Sequence, residues 1–181
     1  KIAKDVLTYY KMNLSNRFKE IKKNLLKKEN ISIFLIILII FLFDRVSKFK
    51  IIHNLIDRTY YVNDYINYDL IWNTGIGFGL LSSNTNLFYN SITAIIGFVI
   101  IFLLVYGLSA NKVEKFIISI IIGGALGNFY DRIYFKAVPD FIDLHYENFH
   151  WFTFNIADIF ISVGLVILII YGFVKKNNEK I

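Results

Sequence analysis

Residues 151–174 read WFTFNIADIFISVGLVILIIYGFV, twenty-four positions that carry a single charge, Asp158. A run of that length and apolarity is expected to cross a bilayer as a helix. Three further runs have the same character: Ile31 to Phe43, Leu87 to Leu108 and Phe116 to Tyr130. The first and third are short and must borrow flanking residues, Leu25 and Leu26 before one and Val113 before the other. Four spans are predicted. The composition agrees, since 56% of the 181 residues are hydrophobic and the mean hydropathy is +0.51, high for a water-soluble domain of this size. Cysteine is absent, which excludes disulfides, thiolate metal sites and cysteine nucleophiles. The chemistry falls to oxygen and nitrogen side chains.

The basic residues set the expected orientation. Fourteen of the twenty Lys and Arg lie before span one, between spans two and three, or after span four, against six in the other two connections. That asymmetry predicts both termini on the cytoplasmic side. The net charge of +6 is then topogenic and attracts anionic lipid, and no folded basic domain remains for nucleic acid. Residues 1–30 are expected to be a basic cytoplasmic or interfacial tail and 175–181 a second short tail, flanking a four-span domain over 31–174. Met12 is the only methionine, and residues 1–11 are given no function. The first span runs into Asp44 and Arg45 without a small-residue cleavage site, so it reads as an uncleaved helix. Residues 51–86 mix Tyr, Ile and Val with Asn, Asp and Gly, with Thr59, Tyr60, Tyr61 and Val62 in sequence, as a small strand-containing outer element would.

With that topology the outer ends of the spans hold Asp44 and Lys48, Asn73, Asn128 with Asp131 and Arg132, Asp140, and Asn155 with Asp158. Ionisable groups at membrane depth need a partner or a water-filled cavity. Asp44 and Lys48, at i and i+4, can pair while the lysine stem reaches toward water, a structural role. Gly123 and Gly127 form a small-residue face for close helix packing, and Asn128 and Arg132 continue its stripe. The Asn128 amide carries a donor and an acceptor suited to an extended peptide backbone. Asp158 is expected seven residues into span four, roughly 10 Å along the helix. It either pairs with Arg132 or Lys48, or shares a proton with Asp140 or Asp143. Two close carboxylates supply an acid and a base at one site, enough to activate water against a peptide carbonyl. Intramembrane carboxylates also serve transporters, so a non-catalytic membrane protein binding a lipid or ion through this polar layer is the alternative.

Five segments resemble the lipoprotein signal peptidase (signal peptidase II) family of integral membrane aspartyl proteases. Asp44-Arg45-Val46-Ser47-Lys48 is similar to its D-x-x-S/T-K element, and Asn73-Thr74-Gly75-Ile76-Gly77-Phe78-Gly79 to its N-x-G-x-A-F-G segment with Gly77 in place of alanine. The run Gly123 to Arg132, GGALGNFYDR, is similar to its G-G-A-x-G-N-x-x-D-R signature. Val138-Pro139-Asp140-Phe141-Ile142 and Phe154-Asn155-Ile156-Ala157-Asp158 resemble V-V-D-F-I and F-N-x-A-D. The resemblance spans about Ile31 to Val174, in order.

The resemblance implies that Asp140 and Asp158 are the catalytic dyad, choosing Asp140 over Asp143, which is left as a satisfied loop carboxylate. It implies that Asn73, Asn128, Arg132 and Asn155 line the pocket and hold substrate backbone or dyad, with Asp131 orienting Arg132 and with Asp44 and Lys48 in support. The implied fold is a bundle of four transmembrane helices with a small extracellular β-cradle and a short surface helix over the site. Gly75, Gly77 and Gly79 would let a lid move. The implied substrate is a prolipoprotein carrying diacylglyceryl on its cysteine, cut on the N-terminal side of that residue at the outer face of the bacterial cell membrane, by a monomer in contact with membrane lipid. No metal or nucleotide cofactor is called for. Two departures stand out: Pro139 replaces valine before Asp140, removing a backbone N–H, and Ile159 follows Asp158 where a small polar residue is usual.

Overall fold

The computed structural model describes residues 27–54, 59–75 and 86–178. The described residues form four helices, α1 (Lys28–Asn54), α2 (Asn86–Ser109), α3 (Lys112–Tyr134) and α4 (Ile156–Asn178), and two β-hairpins. The first hairpin, β1 (Tyr60–Asn63) and β2 (Ile66–Asn73), lies between α1 and α2 in the chain; the second, β3 (Val138–Tyr146) and β4 (Phe149–Phe154), lies between α3 and α4. All four helices are long and apolar enough to cross a membrane. The expected short surface helix, the glycines Gly77 and Gly79 of the lid, most of the N-terminal tail and residues 179–181 lie outside the described residues, while residues 175–178, expected as tail, continue the last helix.

Helix α3 is the centre of the bundle and packs on the other three. Its Ile118 and Ile122 are buried with Ile33 and Ile37 of α1 and Ile100 of α2. Helix association in lipid depends on close packing and not on expelling water. Accordingly, a Cβ at Gly123 would lie 2.8 Å from Ile40 Cβ of α1, and one at Gly124 would lie 2.6 Å from the Ala157 carbonyl oxygen of α4. The outward faces expose large apolar side chains, Leu35 and Ile39 on α1, Phe98 and Ile101 on α2, and Ile169 and Phe173 on α4. Acyl chains suit that surface; water does not.

At one end of the bundle the two hairpins join into a single antiparallel sheet of order β1-β2-β3-β4. The β1–β2 turn is tied by Asn63, whose Oδ1 accepts from Tyr65 and Ile66 N–H at 2.9 and 3.0 Å. The strands expected within residues 51–86 supply only half of this sheet. The other half comes from residues read as a loop and as the start of span four. Phe149 to Phe154 is as apolar as a helix start, but it pairs with β3 from Ile142↔Phe154 to Tyr146↔Phe149 and leaves Phe149 and Trp151 exposed, as aromatic groups at a membrane surface are.

Two positions change as a result. Helix α4 begins at Ile156, so Asp158 is the third residue of its first turn and not roughly 10 Å along it. Asp140 and Asp143 stand on β3 and not in a loop. Pro139 is fully buried opposite Trp72 of β2, at a point that β4, paired only from Ile142 onward, does not reach. A strand position with a neighbour on one side tolerates the missing N–H.

Candidate active site

The end of β2, the start of β3 and the first turn of α4 converge on one carboxylate. Asp140, 2% exposed, accepts from Asn73 Nδ2 at 2.8 Å and from Asn155 Nδ2 at 2.6 Å, one amide on each oxygen. Burial above all, with the nearby Asp158 carboxylate, raises its pKa to about 6 against the opposing pull of the two amides and Lys48.

Asn155 also builds the start of α4. Its Oδ1 accepts from Asp158 N–H at 3.1 Å, while its own N–H donates to Asp158 Oδ2 at 3.1 Å. This reciprocal pair is a capping box written with Asn and Asp. One residue therefore fixes both carboxylates: Asp140 through its side chain and Asp158 through its backbone. Asp158 is half-buried, and its other oxygen accepts from Asn128 Nδ2 at 2.7 Å.

Behind Asn128 lies a buried cluster on α1 and α3. Lys48 Nζ donates to Asn128 Oδ1 at 2.8 Å and to Asp131 Oδ2 at 2.7 Å, and lies 3.1 Å from Asp44 Oδ1. Lys48 is 1% exposed, so its stem does not reach toward water as expected. Two buried carboxylates within 3.1 Å hold the ammonium more strongly than the interface would. Arg45, which the sequence reading passed over, is the second cation: Nη1 donates to Asp131 Oδ1 at 2.5 Å, Nη2 to Asp44 Oδ2 at 2.6 Å, and the guanidinium lies 4.9 Å from the Tyr130 ring centre. An arginine two residues beyond the predicted first span, beside Asp44, was the signal that could have found it. Asp44 also accepts from Ala157 N–H at 3.1 Å, tying α1 to the first turn of α4.

Asp131 is engaged by Arg45 and Lys48 and does not orient Arg132. Arg132 instead donates from Nη2 to the Gly75 carbonyl and stacks over Tyr89, 5.5 Å from the ring centre. Its Nε and Nη1 are buried without a protein partner among the described residues. Neither Arg132 nor Lys48 forms a direct ion pair with Asp158 among the described residues; the neutral amide of Asn128 stands between Lys48 and that carboxylate. Asp143 accepts from His150 Nδ1 at 2.7 Å and makes no described hydrogen bond with the Asp140 group.

Two carboxylates tied to one asparagine at one end of a helical bundle form the arrangement that an aspartyl protease of the membrane would need. A family model described as signal peptidase (SPase) II matches residues 36–174, and the chain belongs to that family. It is 47% identical over 151 residues to a lipoprotein signal peptidase of Pelagibacter ubique, covering 80% of this chain and 91% of the relative. A lipoprotein signal peptidase of Francisella tularensis subsp. novicida is 39% identical over 122 residues, 65% of this chain and 76% of the relative. Among solved structures, a bacterial membrane enzyme determined by the in meso method at 2.3 Å is similar with a TM-score of 0.61 and 31% identity, over 83% of this chain and 92% of that one. A second such enzyme, at 1.9 Å, gives 0.57 and 28%, over 77% and 91%.

Proposed function

We propose that this enzyme removes the signal peptide from diacylglyceryl-modified prolipoproteins, cutting on the N-terminal side of the lipidated cysteine, with Asp140 and Asp158 as the catalytic dyad. The observation that carries the dyad is the double engagement of Asn155, which holds both carboxylates at one site. Like charges that close do not both ionise cheaply, so the pair keeps one proton between them. The charged member takes a proton from water as its oxygen bonds to the peptide carbonyl carbon. The protonated member donates to the carbonyl oxygen, and on collapse the C–N bond breaks with a proton passing to the leaving amine. Asn73 and Asn128 have both amide ends engaged by protein groups, which fits them to hold the dyad in place. Arg132, with Nε and Nη1 free of protein partners among the described residues, is suited to hold the substrate backbone.

The distribution of Lys and Arg supports both termini in the cytoplasm and the sheet end, with its dyad, at the outer face. A site there suits a substrate whose acyl chains stay in the bilayer. The enzyme acts as a monomer without nucleic acid, its basic tail serving topology. Mass spectrometry of products from a lipidated prolipoprotein and its unlipidated precursor tests this function. Cleavage of the lipidated form alone, beside the modified cysteine, is expected. Equal cleavage of both, or a cut elsewhere, contradicts it.

A further inference from the structure

We propose that Asp143, His145 and His150 form a binding site for a divalent transition metal, with zinc as the best-fitting ion, on the face of the sheet opposite Asp140. At both irregularities in the pairing of β3 the extra residue lies in the neighbouring strand, β2 or β4, so β3 keeps its alternation. Asp143 and His145, two apart, share one face, and Asp140, three before Asp143, lies on the other. Pairing completes the set: His150 of β4 stands opposite His145, and Asn67 of β2 stands opposite Asp143.

The three ligand atoms lie within 4.8 Å of one another. Asp143 Oδ2 is 2.7 Å from His150 Nδ1 and 3.6 Å from His145 Nδ1. Ligands bonded at about 2.1 Å to a tetrahedral zinc are about 3.4 Å apart, so small side-chain rotations admit the ion. Two imidazoles and a carboxylate, without thiolate, suit zinc with a fourth position left to water.

A histidine–aspartate pair alone accounts for His150 but not for His145, which is 6% exposed and whose Nδ1, facing the Asp143 oxygen, has no hydrogen-bond partner among the described residues. A second orphan lies beside it. Asn67 Oδ1 is also buried without a partner among the described residues, while Asn67 Nδ2 lies 3.4 Å from His145 Nε2. Turning the Asn67 amide by half a rotation exchanges its O and N without changing its shape. Oδ1 then accepts from Nε2–H, which leaves the Nδ1 lone pair directed at the cation position. An outer partner on the far nitrogen is the usual support of a metal-bound histidine. The ion would clasp β3 to β4 next to the turn where Glu147 takes a left-handed φ of 51°.

The test is calorimetric titration of zinc chloride into untagged, chelator-stripped protein in detergent, with Co2+ as a spectroscopic probe. One Zn2+ per chain and a tetrahedral Co2+ absorption band are expected. His150→Ala, at an exposed side chain that the fold does not need, and Asp143→Asn should each weaken binding at least about tenfold. His53→Ala, remote in sequence, should leave it unchanged. No stoichiometric binding, or binding equal in His150→Ala and Asp143→Asn to that of the parent, overturns the proposal.

Discussion

Asn155 Nδ2 lies 2.6 Å from Asp140 Oδ1, so the residue that caps α4 also holds a carboxylate on β3. Capping and catalysis can be separated. Asn155→Ser keeps a side-chain oxygen for the Asp158 N–H but loses the reach to Asp140, so the melting temperature should stay near that of the parent while cleavage falls about 100-fold. Asn155→Ala should lose the rate and, in addition, about 1 kcal/mol of stability.

Asp140, raised to about 6, gives the enzyme a pH signature. The proposed dyad must keep one proton, so kcat/KM should decline as pH rises through about 6, the value for the free enzyme. The Asn73 amide favours the charged form, and Lys48 does the same by its charge, whereas Asp158 opposes it. Removing the amide in Asn73→Ala raises the pKa, and the alkaline decline should move to higher pH. A pH–rate profile showing no shift, or a shift to lower pH, contradicts this role for Asn73.

Lys48 is the buried counter-charge to Asp131 and Asp44. Lys48→Met keeps much of the stem and leaves two carboxylates with Arg45 alone. Breaking a buried pair in this way costs about 3–5 kcal/mol, and thermal unfolding in detergent should report a loss of that order.

Gly127 faces the Asp44 carboxylate so closely that a Cβ would collide with Oδ2, whereas Gly172 has no such neighbour within 4 Å. Gly127→Ala should destabilise by about 1–3 kcal/mol, since the ion cluster must shift. Gly172→Ala should be neutral or gain up to about 1 kcal/mol from helix propensity.

Span number was legible because apolar runs of bilayer length have few other uses, and the proposed dyad was chosen because Asp140 and Asp158 fall within family-like segments. What stayed hidden depended on pairing. Trp151 to Phe154 looked like the start of a helix because an aromatic strand at a membrane surface is as apolar as a span, and this placed Asp158 a full turn too deep. Without the β3–β4 hairpin, Asp143, His145 and His150 are three scattered residues. The cluster of Arg45, Lys48, Asp44 and Asp131 joins two helices, so spacing along α1 showed only the Asp44–Lys48 pair and could not show that both cations turn inward.

The central claim is that Asp140 and Asp158 together cut a lipidated prolipoprotein. The most direct measurement is a gel-shift cleavage assay on purified enzyme in detergent, comparing the parent with Asp140→Asn and Asp158→Asn, each verified as folded and monodisperse. Cleavage by the parent and none by either variant is the predicted result; cleavage at the parental rate by a folded Asp158→Asn or Asp140→Asn enzyme would contradict it.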